Sequence, residues 1–400
     1  MCRWWQILLV LSLLVILLPA CGGGDEDAST TTPVPTMTPV STQTPTPTSV
    51  PTGQVKIGAI NSWSGAAALS GVSMADPVIK LVEKQVKDQG GILGGREVKV
   101  VRYDNRASVA EAQAGVKKLY YDDKVSAITM GGVSGAEFNA VAAACEEVEI
   151  LYVSLANVED LAKYKFTVNA TVQADVNREV TLEFMNNVLK PQTAAFFGTD
   201  DWAARSNITY VSGQLEAAGT KTVYLEYCPL DTTDFSPYLT KIKYQKPDLL
   251  YFYSGSNEAH VAVAKQIMEL GGWDDIKVFT TAAGEFARKQ AGAQGWYMFA
   301  FWAPESNNPG AAEFVDGFQA LHGRAPSPNQ VLYYNVLWTA IYAIELAGTD
   351  TDRVAIAQAA RSGNLEWDTP MGHAKFMPDG TSGLRLIIKQ VVNGEMVLVP

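Results

Sequence analysis

Short apolar runs alternate with helical patterns along the chain from residue 55 onward, and this alternation is the strongest constraint on the fold. The first unit is a run rich in β-branched residues at 55–60, followed by apolar residues at helical spacing over 72–87. Parallel strands need a long crossover between them, which a helix normally supplies. Strands that are separated by helices therefore predict an α/β fold whose parallel sheets are covered on both faces.

Two successive series of these units indicate two lobes. The first series has predicted strands at 55–60, 97–103, 125–130 and 150–153, with helices near 72–87, 107–121 and 136–147. The second has strands at 193–198, 222–227, 248–253 and 277–279, with helices near 173–189, 203–218, 235–244 and 258–270. Two sets of similar length favour two doubly wound parallel-sheet lobes over one long sheet. A cleft between two such lobes is a preferred place for a small ligand.

The last third of the chain departs from this alternation. Its predicted elements are an aromatic strand at 295–302, helices near 310–321, 329–347 and 351–361, and strands at 372–376, 384–390 and 396–399. The turn sequences Pro-Asp-Gly at 378–380 and Val-Asn-Gly at 392–394 favour tight reversals of the chain. We therefore expect the last three strands to form one small antiparallel set.

Residues 1–21 are predicted to be a signal peptide rather than part of the fold. Arg3 precedes an apolar run that has signal-peptide length and is too short to span a membrane comfortably. The segment ends in Leu-Pro-Ala-Cys at 18–21, which resembles a bacterial lipobox, so Cys21 is the expected site of lipidation. An ordinary export signal is the alternative, because proline is a less usual residue at position 19.

Residues 22–53 are predicted to be a linker. Most of this segment is a Thr/Pro-rich tract that lacks the apolar residues needed for folding, and its prolines keep the chain extended. Behind a lipidated cysteine, such a tract would act as a stalk that holds the folded part away from a membrane surface. The alternative is a disordered leader without a role.

The charge pattern and the motif content argue against several classes of function. The chain has 31 basic and 42 acidic side chains and no Lys/Arg-rich run, which argues against a nucleic-acid surface. Its three histidines are isolated, and no Cys/His/Asp cluster has metal-ligand spacing. Walker A and G-x-G-x-x-G motifs are missing, and Gly-Val-Ser-Gly-Ala at 132–136 differs from G-x-S-x-G in its last residue. The sequence therefore predicts no enzyme activity, no metal and no cofactor.

Two cysteines, Cys145 and Cys228, lie in the part that is predicted to fold. Cys145 falls on a predicted helix and Cys228 just after a predicted strand, and they do not form a C-x-x-C pair. We expect two buried free thiols, with a disulfide as the alternative. The sequence assigns neither cysteine a role.

Two loops of small residues follow strands of the first series. They are Gly-Gly-Val-Ser-Gly at 131–135 and Ser-Leu-Ala-Asn at 154–157, and each opens a predicted helix. Small residues let a ligand approach the backbone closely, and the free N–H groups of a helix start suit a carboxylate. Ligands of open α/β sheets bind at the carboxyl ends of the strands, where these loops lie. The pattern favours a small-molecule site, with ordinary strand–helix turns as the alternative.

Further short motifs follow one another along the chain: Val-Lys-Ile-Gly-Ala at 55–59, Ser-Gly at 64–65, Gly-Gly-Ile at 90–92, Gly-Gly-Arg at 94–96, Tyr-Asp-Asn at 103–105 and Met-Gly-His-Ala-Lys-Phe at 371–376. In this order the chain resembles the solute-binding proteins of bacterial ABC importers, specifically the branched-chain amino-acid type with the type I periplasmic binding fold. The resemblance covers residues 54–400. It implies lobe 1 at 54–170 plus 303–370 and lobe 2 at 171–302 plus 371–400, joined by a three-strand hinge.

The resemblance also implies ligand contacts on lobe 1. Ser134 matches the serine that binds the ligand carboxylate in relatives. Ser154, Ala156 and Asn157 occupy the next loop, which supplies backbone groups and a hydroxyl in relatives. Ser70 lies where relatives place an aromatic residue after the first loop's Ser-Gly, so it is expected to shape the side-chain pocket.

Three contacts are implied on lobe 2. Trp202 matches the aromatic lid that closes over the ligand, although the glycine that follows it in relatives is alanine here. Tyr253 ends a strand whose loop is expected to face the cleft. Glu285 lies within about one position of the acid that pairs with the ligand ammonium in relatives.

By this resemblance the protein is expected to be an extracytoplasmic receptor, anchored to the membrane by lipid. It would capture an amino acid or a related small carboxylate by hinge closure and deliver it to the permease subunits of an ABC importer. A ligand sensor of the same fold that reports to a signalling partner is the alternative. Leucine-like amino acids, small amides and aromatic acids all stay open as ligands, and the oligomeric state is not predicted.

Overall fold

The computed structural model describes residues 53–65, 67–130, 135–156 and 161–399. This part of the chain excludes the predicted signal peptide, Cys21 and nearly all of the predicted linker. The roles assigned to those residues stay predictions.

The described residues form strands and helices close to the predicted positions. The strands are β1 Val55–Asn61, β2 Val98–Asp104, β3 Ala127–Met130, β4 Tyr152–Ser154, β5 Thr167–Asn169, β6 Thr193–Thr199, β7 Lys221–Cys228, β8 Leu249–Tyr253, β9 Lys277–Thr280, β10 Tyr297–Ala300, β11 Glu366–Thr369, β12 Gly372–Lys375, β13 Ile387–Val392 and β14 Glu395–Leu398. The helices are α1 Asp76–Asp88, α2 Val109–Tyr121, α3 Gly135–Val148, α4 Ala174–Phe184, α5 Trp202–Ala217, α6 Ser236–Gln245, α7 Asn257–Leu270, α8 Pro309–His322, α9 Gln330–Ala347 and α10 Arg353–Ala360.

The strands form two large sheets, as the alternating pattern predicts. The first has five parallel strands in the order β2-β1-β3-β4-β5. The second has seven strands in the order β14-β13-β10-β9-β8-β6-β7, in which β13 pairs antiparallel with both β10 and β14 and all other pairs are parallel. The predicted fold class, two parallel-sheet lobes of the α/β type, is confirmed.

Helices cover both faces of each sheet. In the first lobe α2 and α3 pack on one face, through residues such as Leu119 and Phe138, and α1 and α9 pack on the other. In the second lobe α6 and α7 cover the face that carries Phe197 and Phe252, and α5 packs against the opposite face. Because both faces are covered, the inner strands β3, β4, β6 and β8 are buried along almost their whole length rather than at alternate residues, whereas the edge strands β2 and β7 also carry exposed residues.

Helix α9 lies in the core of the first lobe. Residues 330–341 are all buried, and the helix contacts α1, α10, β3 and β4. A helix that is apolar around its whole circumference is stable only when it is surrounded by protein. It ends at Gly348, which adopts the left-handed conformation (φ 68°) typical of a glycine after the last helical residue.

The chain passes between the two lobes three times, after β5, after β10 and after β12. Strands β11 and β12 form a separate two-stranded sheet, and Trp367 of β11 packs against Tyr342 of α9 in the first lobe. The three passages agree with the three connections that the fold class requires. The exact lobe limits stay a prediction. Because β12 pairs with β11, the expected limit between residues 370 and 371 would separate the two strands of one hairpin, so we propose that the second lobe resumes at β13.

The prediction of one antiparallel set for the last three strands is wrong. Strand β12 pairs with β11, which the sequence analysis missed, whereas β13 and β14 form a hairpin that extends the second sheet by pairing with β10. The predicted turn between β13 and β14 is confirmed, since Asn393 (φ 53°) and Gly394 (φ 75°) both have the positive φ that a two-residue hairpin favours.

Cys145 and Cys228 are free and buried, as predicted. Burial raises the pKa of the Cys145 thiol well above its ordinary value, so the group is neutral and unreactive at physiological pH.

Candidate functional site

The carboxyl ends of the strands in the two sheets carry most of the predicted site residues. In the first sheet these ends are Asn61 of β1, Asp104 of β2 and Ser154 of β4. All five strands are parallel, so their carboxyl ends meet at one edge of the sheet, where an open α/β sheet binds its ligand.

The first loop is fixed to the lobe through Ser70. The Ser70 Oγ donates a hydrogen bond to Asn61 Oδ1 (2.8 Å) and lies 2.9 Å from the hydroxyl of Tyr333 on α9. The amide of Asn61 donates in turn to the Ser70 carbonyl (3.2 Å). The Ser70 hydroxyl is therefore engaged within the protein and holds the loop in place, and its predicted ligand role stays a prediction.

The same loop is also held by Asp104, which sequence reasoning missed. Its carboxylate accepts hydrogen bonds from the Trp63 N–H (2.9 Å), the Arg106 N–H (3.1 Å) and the Ser64 hydroxyl (2.5 Å). Burial alone would raise the pKa of Asp104, but these hydrogen bonds lower it below its usual value. The ionised carboxylate thus braces the loop between β1 and α1.

Ser154 and Ala156 lie together at the end of β4, and both are buried. The Ser154 Oγ accepts a hydrogen bond from the Ala156 N–H (3.0 Å), and the Asn169 amide donates to the Ala156 carbonyl (2.5 Å). These contacts fix the start of the loop. Ser134 and Asn157, the other two predicted contacts of this lobe, lie outside the described residues.

On the second lobe a cavity of about 510 Å³ lies at the carboxyl ends of β6, β8, β9 and β10. Three kinds of residue line it: side chains with hydroxyl groups, one carboxylate, and small or apolar residues. They are Thr199, Asp201, Ala203, Leu230, Tyr253, Ser254, Gly255, Ser256, Thr281, Ala282, Ala283 and Phe299. The volume suits a molecule of amino-acid or small aromatic-acid size.

Tyr253 lines this cavity, as the resemblance implies. Burial raises the pKa of its phenol to about 12, with a further rise from the nearby Asp201 and a decrease from Arg178. The hydroxyl is therefore protonated at neutral pH and can donate a hydrogen bond. Ser254 and Thr281 are already used within the protein, since the Ser254 Oγ accepts from the Ser256 N–H (3.1 Å) and the Thr281 hydroxyl donates to the Ser254 carbonyl (2.9 Å).

Trp202 is the first residue of α5 and is 73% exposed. It lines a separate, shallow depression of about 480 Å³ together with Arg178, Arg205 and Tyr210, among others, and is absent from the lining of the cavity beside Tyr253. In this conformation the indole does not cover the cavity. A lid role for Trp202 would require movement of the lobes and stays a proposal.

Glu285 lies in a short 3₁₀ segment, Ala282–Ala287, and is half-buried. Burial raises the pKa of its carboxyl above the usual value, while Lys389 and Arg288 oppose that rise. Lys389 on β13 is itself buried, with 8% of its side chain exposed, and forms an ion pair with Glu305 (3.3 Å). Glu285 does not line the cavity. The positive charges that act on it, Lys389 and Arg288, belong to the protein itself rather than to a ligand.

His260 on α7 supports the loops that line the cavity, and sequence reasoning treated it only as isolated. Its Nδ1 lies 2.7 Å from the Ser256 carbonyl, and its Nε2 lies 2.7 Å from the Thr280 hydroxyl. Burial lowers the pKa of His260 from 6.5 to about 4, so the ring is neutral at physiological pH. Sequence could not have shown this role, because it depends on packing between α7 and β9.

Within residues 53–399, as far as they are described, no group of three or more His, Cys, Asp or Glu side chains is arranged to hold a metal ion. Among the helices of that same part, none is both long and apolar enough to cross a membrane.

Two parallel-sheet lobes joined by three connections, with loops at the carboxyl ends of the strands, define the type I periplasmic binding fold. The model of the periplasmic binding protein family matches residues 54–395. The chain therefore belongs to the periplasmic binding protein family.

Solved structures share this fold over nearly their whole length. A leucine-binding protein of Thermotoga maritima has 22% sequence identity and a TM-score of 0.72, covering 86% of this chain and 98% of its own. A branched-chain amino acid transporter substrate-binding protein of Streptococcus pneumoniae, in complex with isoleucine, has 20% identity and a TM-score of 0.73, covering 87% and 99%. An ABC-transporter solute-binding protein of Rhodopseudomonas palustris, in complex with 3,4-dihydroxybenzoic acid, has 19% identity and a TM-score of 0.73, covering 86% and 96%.

No curated protein matches the chain significantly. At identities of 19–22% the likeness to the three solved structures establishes the fold and leaves the ligand open.

Proposed function

We propose that the protein is the extracytoplasmic substrate-binding lipoprotein of an ABC importer, and that it captures an amino acid or a related small carboxylate between its lobes. The observation that carries this proposal is the cavity of about 510 Å³ at the carboxyl ends of the second sheet, in a chain of the periplasmic binding protein family. Similar structures with isoleucine and with 3,4-dihydroxybenzoic acid support a small carboxylate as the ligand. Transport is favoured over sensing because these similar proteins belong to transporters.

The proposed mechanism is capture by closure. The ligand carboxylate first binds the loops of lobe 1, with Ser134, Ser154, Ala156 and Asn157 as the proposed contacts. Lobe 2 then rotates about the three connections, so that Tyr253 and Trp202 close over the ligand. Binding occurs without catalysis, and the ligand is released unchanged to the permease subunits. Lipid attached to Cys21 would hold the receptor at the membrane, with the Thr/Pro-rich linker as the spacer.

The first test is the thermal stability of the purified chain against a panel of amino acids, amides and aromatic acids. A ligand that binds only the folded form adds about 2.7 kcal/mol of stability at one hundred times its dissociation constant. We expect at least one panel member to raise the melting temperature by several degrees. A folded protein whose melting temperature is unchanged by every compound would refute the proposed ligand class.

Replacing Ser134 by alanine is expected to weaken binding of that ligand by about 10- to 100-fold. The substitution removes one hydrogen bond to a charged carboxylate, which is worth about 1.5–3 kcal/mol. Calorimetric titration of both proteins measures the change, with the melting temperature of the ligand-free variant as the control for folding. Equal affinities would remove Ser134 from the site.

A further inference from the structure

Asp201 presents a carboxylate to the cavity on the second lobe. One oxygen caps helix α5 by accepting the Ala204 N–H (2.9 Å), and the other accepts the Thr199 hydroxyl (2.6 Å). A carboxylate offers about four lone-pair sites, so two acceptor sites are left over. Sequence reasoning passed over this residue, because an acid before a helix normally serves only as a cap.

Among the residues that the structure describes, no Lys or Arg side chain forms an ion pair with Asp201. Arg178, which like Asp201 influences the pKa of Tyr253, donates instead to Ser206 Oγ (2.6 Å) and Asn207 Oδ1 (3.2 Å). The neighbouring Arg205 donates to Asp200 (2.5 Å). Asp201 is thus a half-buried negative charge on the cavity wall, and no cation of the described residues is paired with it, which favours a cationic group of a ligand.

Glu285, the acid that the resemblance selects for the ligand ammonium, is placed differently. It does not line the cavity, and both Lys389 and Arg288 act on it. A ligand ammonium at Glu285 would also meet the positive charge of the buried Lys389, and like charges repel at close range.

We propose that Asp201, and not Glu285, binds the ammonium group of the ligand, so that the ligand is a carboxylate that also carries an ammonium. This inference rests on the proposed function, since it assigns a specificity-determining residue to the same cleft. Asp201 and the hydroxyl of Tyr253 then bind the polar end of the ligand from the second lobe, and Leu230 and Phe299 contact its apolar part.

The test compares two compounds and three proteins by calorimetric titration. The compounds are the amino acid that stabilises the protein most in the thermal panel and its deaminated counterpart, which for L-leucine is 4-methylpentanoate. The proteins are the wild type, Asp201→Asn and Glu285→Gln. Asparagine caps a helix as well as aspartate does, so Asp201→Asn removes the charge and keeps the start of α5.

We expect the wild type to bind the amino acid at least 10-fold more tightly than the deaminated acid. Asp201→Asn should weaken amino-acid binding by about 10- to 100-fold and leave the deaminated acid within about 3-fold, because only the bond to a charged group is lost. Glu285→Gln should bind the amino acid more tightly than the deaminated acid, by the same factor as the wild type. Asp201→Ser, which also retains a capping side chain, should repeat the result if Asp201→Asn proves unstable.

Three results would overturn the inference while leaving the proposed function intact. In the first, Asp201→Asn still prefers the amino acid over the deaminated acid as strongly as the wild type does. In the second, Glu285→Gln loses that preference. In the third, the wild type binds only carboxylates that lack an ammonium group. A wild type that is folded and binds no compound of the panel would overturn the proposed function and this inference together.

Discussion

Replacing Trp302 by alanine is expected to lower the free energy of unfolding by about 3–5 kcal/mol, the usual cost of deleting a large buried aromatic side chain. Trp302 is 1% exposed and lies just after β10, on one of the connections between the sheets. Its ring meets Phe314 edge-on, with 5.5 Å between ring centroids, so the substitution removes this contact and leaves a cavity. Chemical denaturation of both proteins measures the difference.

The matched control is the same substitution at Trp202, which is 73% exposed. Trp202→Ala should change the free energy of unfolding by no more than about 0.5 kcal/mol, because exposed side chains contribute little to stability. Under the proposed closure, however, Trp202→Ala should weaken ligand binding. Equal destabilisation by the two substitutions would show that the indole of Trp202 packs against the protein in solution.

Lowering the pH from about 6.5 to about 4 is expected to remove about 3 kcal/mol of stability through His260 alone. The pKa of His260 falls from 6.5 to about 4 on folding because the ring is buried. Between these values the unfolded chain binds more protons than the folded one. The contribution of His260 is therefore complete above pH 6.5 and is lost progressively as the pH falls towards 4.

Denaturation at a series of pH values checks this, with His260→Gln as the comparison. The variant is less stable at pH 7, because the contacts to Ser256 and Thr280 are altered, but its stability should fall less steeply between pH 6.5 and 4. The difference between the two slopes isolates His260 from the carboxyl groups that titrate in the same range. If the free energy of unfolding fell equally steeply with pH in both proteins, the pKa of His260 would be the same in the folded and the unfolded chain.

The fold could be predicted from the sequence because its elements have strong local patterns. The helix predicted near 329–347 is found at Gln330–Ala347, since a long apolar segment ends at a glycine that can adopt positive φ. Strands β5 and β11 were missed because three and four residues are too few to show a periodic apolar pattern. The pairing of β13 with β10 was missed because strands nearly 90 residues apart carry no local signal of their partnership.

The candidate site could be predicted only in part. Tyr253 was found because it lies at the carboxyl end of an apolar strand. The carboxyl ends of parallel strands lie at the same edge of the sheet, where ligands bind. The surroundings of Glu285 depend on Lys389, about one hundred residues further along the chain, and an electrostatic effect across that separation cannot be read from either segment alone. The resemblance gave the approximate position of an acid, and only the pairing of β13 with the second sheet shows that a buried lysine acts on it.

The late position of α9 and β13 in the chain bears on the order of synthesis and folding. The first sheet is complete at β5, yet the helix that buries one of its faces is not made until residue 347. The second sheet likewise lacks β13 and β14 until residues 387–398 exist. The first lobe therefore cannot complete the burial of that face until α9 has been synthesised. Contacts between residues this distant in sequence slow folding, so the first lobe is expected to finish folding only after residues 330–347 have been made.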